Sequence, residues 1–114
     1  MKFNSFEEII SLKKAKELSF MIYKAIQNCR DYSFRDQIQR ATLSIMNNIA
    51  EGFERKGNKE FKQFLFIAKG SCAELRSMIH LALDLNYIKK DLYRELLNRS
   101  LVISRMLSAL ITTL

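Results

Sequence analysis

Apolar residues recur every three or four positions along most of the chain, in four runs separated by short polar breaks. The first run is Leu12, Ala15, Leu18, Ile22, Ala25 and Cys29, and the second is Phe34, Ile38, Ala41, Ile45, Ile49 and Phe53. The third is Phe61, Leu65, Ala68, Cys72, Leu75, Ile79, Ala82 and Leu85, and the fourth is Leu96, Ser100, Ile103, Leu107, Leu110 and Leu114. This spacing places each run on one face of a helix. It predicts helices over roughly 5–28, 33–55, 58–86 and 90–114. In the last of these the spacing alternates between four and three, a heptad seam.

The polar breaks supply start and stop signals. Ser5-Phe6-Glu7-Glu8 fits a capping box, with Glu8 reaching back to the Ser5 backbone N–H. Ser33, followed by Asp36, is the expected cap of the second helix, Asn58 of the third and Asp91 of the fourth. Arg30-Asp31-Tyr32, Gly57-Asn58 and Asn86 to Lys90 read as the connections. Long helices with short connections pack antiparallel to their neighbours. The expected fold is therefore all-α, an antiparallel up-down four-helix bundle forming one domain over residues 1–114.

The apolar positions outnumber what one core needs. Phe20, Met21, Leu43, Met46, Ala50, Phe64, Phe66, Ile67, Leu97, Leu101, Val102 and Ile111 form second edges beside the four runs. A contiguous apolar surface left in water marks an interface. Two different faces meeting between copies make a heterologous contact, which closes into a ring when the rotation permits. The seam is expected among Phe20, Phe66, Leu97, Leu101 and Ile111.

Composition agrees with helices and narrows the setting. There is no proline, and the only glycines are Gly52, Gly57 and Gly70. A sandwich or barrel would use many more turn residues. Cys29 and Cys72 have no CxxC spacing and imply neither a disulfide framework nor a zinc site. The first residues lack an apolar signal-peptide core, and no run of about 18 apolar residues implies a membrane span, so a cytoplasmic location is expected. The formal net charge is +7, and residues 63–88 are neutral while the positive excess is spread over the rest. A dispersed basic surface suits nucleic acid without proving it.

Candidate chemistry is sparse. His80, the only histidine, follows Arg76 by four positions. An Arg–His pair can cleave RNA, with histidine as acid or base and arginine on the phosphate. Helical HEPN-type ribonucleases space the two further apart, so this is a near miss and no catalysis is expected. A di-iron bundle needs Glu-x-x-His pairs, which are lacking, and no glycine-rich phosphate loop is present. No metal or cofactor is expected. Gln37, Arg40, Ser44, Asn48 and Glu51 form a polar line beside the second apolar run. Polar groups bordering a core are expected to bond across it, since an unpaired one costs about 1–3 kcal/mol; a ligand or RNA site is the alternative use of this line. Gly52 and Gly70 are expected to let neighbouring helices approach, with Ser71 and Ala73 extending the small patch at Gly70.

The polar line also carries a family resemblance. Ser44-Ile45-x-x-Asn48-Ile49-Ala50-Glu51-Gly52 resembles the hallmark of the four-helix proteins encoded in intervening sequences of bacterial 23S ribosomal RNA genes. Phe64-Leu65-x-Ile67-Ala68-Lys69-Gly70-Ser71-x-Ala73-Glu74-Leu75 is similar to that family's third helix. Leu85-Asn86-Tyr87-Ile88 resembles its Leu-Gly-Tyr-Ile turn, and Met106-Leu107-x-x-Leu110-Ile111 its last helix. Leu12 stands where the family commonly has tryptophan, Met46 where it often has proline, and Asn86 where glycine is usual. The Phe-Pro common after the first helix is also missing. The resemblance implies a left-handed antiparallel bundle assembled as a ring-like homopentamer, with RNA or the ribosome as suspected partner. A related branch, accessory proteins of diversity-generating retroelements, binds a reverse transcriptase. On this resemblance Gln37, Arg40, Ser44, Asn48, Glu51, Gly52, Gly70, Ser71 and Glu74 are structural motif positions.

The expected function is thus a non-enzymatic oligomeric bundle associated with RNA, with a reverse transcriptase adaptor as the alternative. Phosphate contacts are expected from Arg35, Arg55, Lys56, Lys59 and Lys62 around the turn between the second and third helices. Lys89, Lys90, Arg94 and Arg99 near the start of the fourth helix join them. Tyr23, Tyr32, Tyr87 and Tyr93 are the aromatic rings that could stack on unpaired bases, with packing at the core or its rim as the commoner use.

Overall fold

Four uninterrupted helices follow from the four apolar runs. In a computed structural model, which describes the backbone of residues 6–114 and side chains from Ile10 onward, they are α1 (Phe6–Ile26), α2 (Tyr32–Phe53), α3 (Asn58–Asp84) and α4 (Lys90–Thr113). No strand occurs among the described residues. The Ser5–Glu8 capping box lies outside the described residues. The 27 residues of α3 span about 40 Å at the helical rise, close to the 43 Å long axis of the molecule. Each helix packs on two others: α2 on α1 and α3, and α4 on α3 and α1.

The core is the set of four runs. All six residues of the α2 run are buried, as are the seven from Phe61 to Ala82 on α3. On α4 Leu96, Ser100, Ile103, Leu107 and Leu110 are buried. Two ends of the runs depart from expectation. Leu85 is 43% exposed because it follows the last residue of α3, where the chain turns away. On α1 Ile26 takes the buried place, while Ala25 and Cys29 are half-buried. Each fully buried Leu or Ile side chain contributes about 1.5–3 kcal/mol. A few hydroxyls interrupt the apolar interior and find partners. Ser19 Oγ lies 3.1 Å from Thr42 Oγ1 and donates to the Thr42 carbonyl at 3.3 Å, joining α1 to α2.

Three helix starts differ from the sequence expectation. Asp31, not Ser33, caps α2, its Oδ1 accepting from the Phe34 N–H at 3.2 Å. Gly57, not Asn58, occupies the cap position of α3, and Lys89, not Asp91, that of α4, each without a side-chain cap bond. Asp91 lies inside the first turn of α4. At the end of α3 the Tyr87 N–H donates to the Ala82 carbonyl at 2.8 Å and the Asn86 N–H to Leu83 at 3.0 Å. This is a Schellman closure, and Asn86 takes the left-handed conformation it requires, with φ of 62°. Asparagine is the side chain after glycine that best tolerates this geometry.

The expected seam residues divide in two. Phe20 and Phe66 stand 67% and 54% exposed, whereas Leu97 and Ile111 pack onto the core. Leu101 is half-buried. Met21 and Met46 also pack against the core.

Candidate nucleic-acid interface

The polar line of α2 meets α3. Gln37 Nε2 donates to Glu74 Oε2 at 2.6 Å, and the Ser44 and Ser71 hydroxyls lie 2.7 Å apart. Asn48 Nδ2 folds back onto Ser44, donating to its carbonyl at 2.8 Å and its Oγ at 3.1 Å. Further along, Phe53 and Phe61 pack edge-on with centroids 5.7 Å apart. Residue numbers thus fall on α3 as they rise on α2. Gly52 permits the close approach: a Cβ there would lie 2.9 Å from Phe61 Cδ1 and 3.1 Å from Phe64 Cβ. Gly70 does not act in this way, since a Cβ there would meet nothing within 4 Å. It faces outward on α3 with Ala73, while Ser71 turns inward. Glu51 does not reach α3 but pairs with Arg55, just past the end of α2, at 2.9 Å, and Arg40 stays exposed on α2.

The basic residues do not form one patch. Arg35 lies near the start of α2, not at the α2–α3 turn, about 30 Å along the helix from Arg55. It belongs to the end of the bundle that holds Lys89, Lys90 and Arg94. Several cations are already engaged. Arg55 combines its Glu51 bond with a seat over the Phe64 ring at 4.8 Å. Arg99 reaches Glu95 at 3.0 Å and Glu17 at 3.7 Å. Arg94 lies 3.8 Å from Asp91, and Arg35 3.8 Å from Asp36. Lys56, Lys59, Lys89 and Lys90 are exposed and Lys62 half-buried, with no carboxylate in ion-pair range among the described residues.

The tyrosines sort equally clearly. Tyr87 donates to Asp31 Oδ2 at 2.6 Å and packs edge-on against Phe34. Its phenol is pushed up to about 12, chiefly by the hydrogen bond to Asp31. Tyr93 lies with its hydroxyl 2.9 Å from His80 Nδ1 and its ring edge-on to the imidazole. Tyr23 and Tyr32 are exposed. Arg76 on α3 is half-buried, with Nη1 buried and without a hydrogen-bond partner among the described residues. Among the described residues no three His, Cys, Asp or Glu side chains converge as a metal site would require. No helix among them is long and apolar enough to cross a membrane.

What the runs and spacings did not reveal is a groove between α1 and α2. Its floor holds Phe20, Tyr23, Lys24, Gln27, Arg35 and Gln39. The signal was available: Phe20, Tyr23 and Gln27 recur at helical spacing, opposite the buried run.

Fold and surface together define an all-α bundle of four helices, locked by a polar ladder between α2 and α3. The chain belongs to the 23S rRNA-intervening sequence protein family, whose sequence pattern it matches over residues 7–109. It is also similar to a crystal structure of a protein of unknown function from the S23 ribosomal protein family of Bacteroides thetaiotaomicron VPI-5482. That likeness has a TM-score of 0.88 at 25% identity and covers 94% of this chain and 99% of the other. Among curated proteins, none matches this chain.

Proposed function

We propose that this protein is a non-enzymatic, RNA- or ribosome-associated bundle that works in the cytoplasm as a ring-like homo-oligomer. The observation that carries the reading is the set of exposed lysines without acidic partners among the described residues, Lys56, Lys59, Lys89 and Lys90, on a chain of net charge +7. Such cations bind phosphates and release counterions. Membership of the 23S rRNA-intervening sequence family makes RNA the fitting polyanion. The falling residue pairs between α2 and α3 support an antiparallel up-down course.

Self-association is supported by the outer face of α3. Phe66, Gly70, Ala73, Ser77 and Leu81, with Ile67 beside them, are all exposed and none is charged. The family resemblance suggests five copies. A ring repeats every lysine, so weak phosphate contacts add by avidity. The same stripe would suit a protein adaptor, such as a subunit serving a reverse transcriptase. A gene lying beside a reverse transcriptase gene favours that second reading.

The non-enzymatic part is supported by His80, whose Nδ1 is taken up by Tyr93. The test of the whole reading is RNA binding across a salt series. Binding is expected at low salt and falls steeply as salt rises, while no detectable binding at low salt overturns it. RNA cleavage that vanishes in both His80→Ala and Arg76→Ala variants, with folding intact, would instead establish an enzyme.

A further inference from the structure

The α1–α2 groove differs in kind from the α3 stripe. Phe20 is 67% exposed, Tyr32 58% and Tyr23 37%. Within the groove Lys24 Nζ is 6.0 Å from the Phe20 centroid, and the Arg35 guanidinium, which also lines it, is 4.8 Å from the centroid of Tyr32, a ring that does not line the groove. The groove encloses about 320 Å³. It runs on into a second hollow of about 580 Å³ along α2, which shares Tyr23 and Gln39 and adds Arg40, Asn47 and Asn48. From Arg35 to Asn47 the track is about 18 Å long at the helical rise.

We propose that this track binds single-stranded RNA, with bases stacked on Phe20 and Tyr23 and phosphates held by Lys24, Arg35 and Arg40. The inference rests on the RNA association proposed above but places it away from the lysines at the bundle ends. Exposed rings flanked by cations are what a single strand requires, because every base has a face to stack and a phosphate to neutralise. Duplex RNA hides its base faces and is recognised by backbone and shape. Gln27, Gln39 and Asn47 add amide donors and acceptors for base edges along the same line. Three cations oppose one lining carboxylate, Asp36, which stands 3.8 Å from Arg35. A second copy of the chain fits the uncharged α3 stripe better than this charged, amide-rich track. The track also gives Arg40 a use outside the α2–α3 ladder.

The chain has no tryptophan, so Phe20→Trp creates a single reporter. Its fluorescence is expected to be quenched by a short single-stranded RNA of mixed sequence, and much less by a duplex of the same sequence. An unchanged signal at saturating RNA overturns the proposal. In parallel, Phe20→Ala, Tyr23→Ala and Arg40→Ala are each expected to weaken single-strand binding about tenfold, with circular dichroism and light-scattering mass unchanged. Binding that survives all three but is lost in a Lys56→Ala/Lys59→Ala/Lys89→Ala/Lys90→Ala variant overturns the track and keeps the RNA association. Absence of any RNA binding by the native protein removes both. A loss of mass in the Phe20→Ala variant assigns the face to a second copy and overturns the proposal too.

Discussion

The Tyr87 hydroxyl donates to Asp31 Oδ2 across 2.6 Å, tying the connection after α3 to the cap of α2. The other carboxylate oxygen of Asp31 accepts from the Phe34 N–H, and the Phe34 ring packs against Tyr87. One carboxylate thus closes two connections at the same end of the bundle.

This clasp makes stability depend on pH at both extremes. The Tyr87 bond, and after it the Phe34 N–H, hold the Asp31 carboxyl below its ordinary 3.8. A carboxyl that is more acidic in the folded chain contributes stability above 3.8, which is lost as pH falls through its folded value. The Tyr87 phenol, raised from 10 to about 12, contributes stability below 10 that is lost as pH rises through about 12. Tyr87→Phe is expected to raise the Asp31 titration midpoint toward 3.8 while leaving it lowered by the Phe34 bond. Carbon NMR of the Asp31 carboxyl reads this directly, and an unmoved midpoint shows that the clasp does not form in solution.

The two thiols are expected to react at different rates. Cys72 is fully buried, and burial pushes its thiol up to about 11 against the weaker pull of the Arg76 and Lys69 charges. Cys29 is half-buried near the end of α1. A thiol-specific chromogenic reagent should titrate one thiol quickly in native protein and two in denaturant. Cys72 should react only as fast as the bundle opens. Two fast thiols without denaturant would mean that the α3–α4 packing is loose.

Gly52 and Phe61 define a close contact that alanine cannot keep. The ring is itself buried and packed on Phe53, so it has little room to move. Gly52→Ala is expected to destabilise by about 1–3 kcal/mol through overpacking. This outweighs the helix-propensity gain from alanine, which is at most about 1 kcal/mol in a helix interior and less here, because Gly52 is the penultimate residue of α2. Urea unfolding measures the difference, and a stabilised variant would show that α2 and α3 stand further apart.

The helices and their inward faces were legible because a 3.6-residue period admits few other arrangements. The α2 run, Phe34 to Phe53, is buried at every position. The caps were less legible. Ser33 and Asp31 are both good capping residues two positions apart, and only the contact with Tyr87, far away in sequence, favours Asp31. Gly70 departs from expectation because a missing side chain can mean either close packing or an open face, and spacing alone does not separate them. The ladder was half visible: Ser44 and Gln37 pointed across the helix, but their partners Ser71 and Glu74 depend on the register between α2 and α3. The basic residues were found by charge alone, which says nothing about which acids stand beside them. Arg55 and Arg99 proved to be held by Glu51 and Glu95.

Assembly through the outer face of α3 can be tested with charge and with size. Ile67 and Phe66 are 51% and 54% exposed, and no described element covers them. Placing charge there costs the isolated bundle little, since the side chains already meet water. Ile67→Asp is therefore expected to leave helix content and unfolding of the single subunit nearly unchanged. In an assembly the same charge would be buried without a partner, costing on the order of several kcal/mol at each contact. The variant is therefore expected to sediment as a monomer and the native protein as an oligomer. Gly70→Ala tests the same face by size. The added methyl meets no described residue within 4 Å, so it should strengthen α3 by about 0.5–1 kcal/mol, yet crowd a neighbour seated on the stripe and weaken association. Ile45→Asp is the contrast: Ile45 is 1% exposed, and a charge there should unfold the subunit outright. Light scattering on the native protein decides the main point. A stable monomer at micromolar concentration would overturn the proposed assembly and remove avidity from the proposed RNA association.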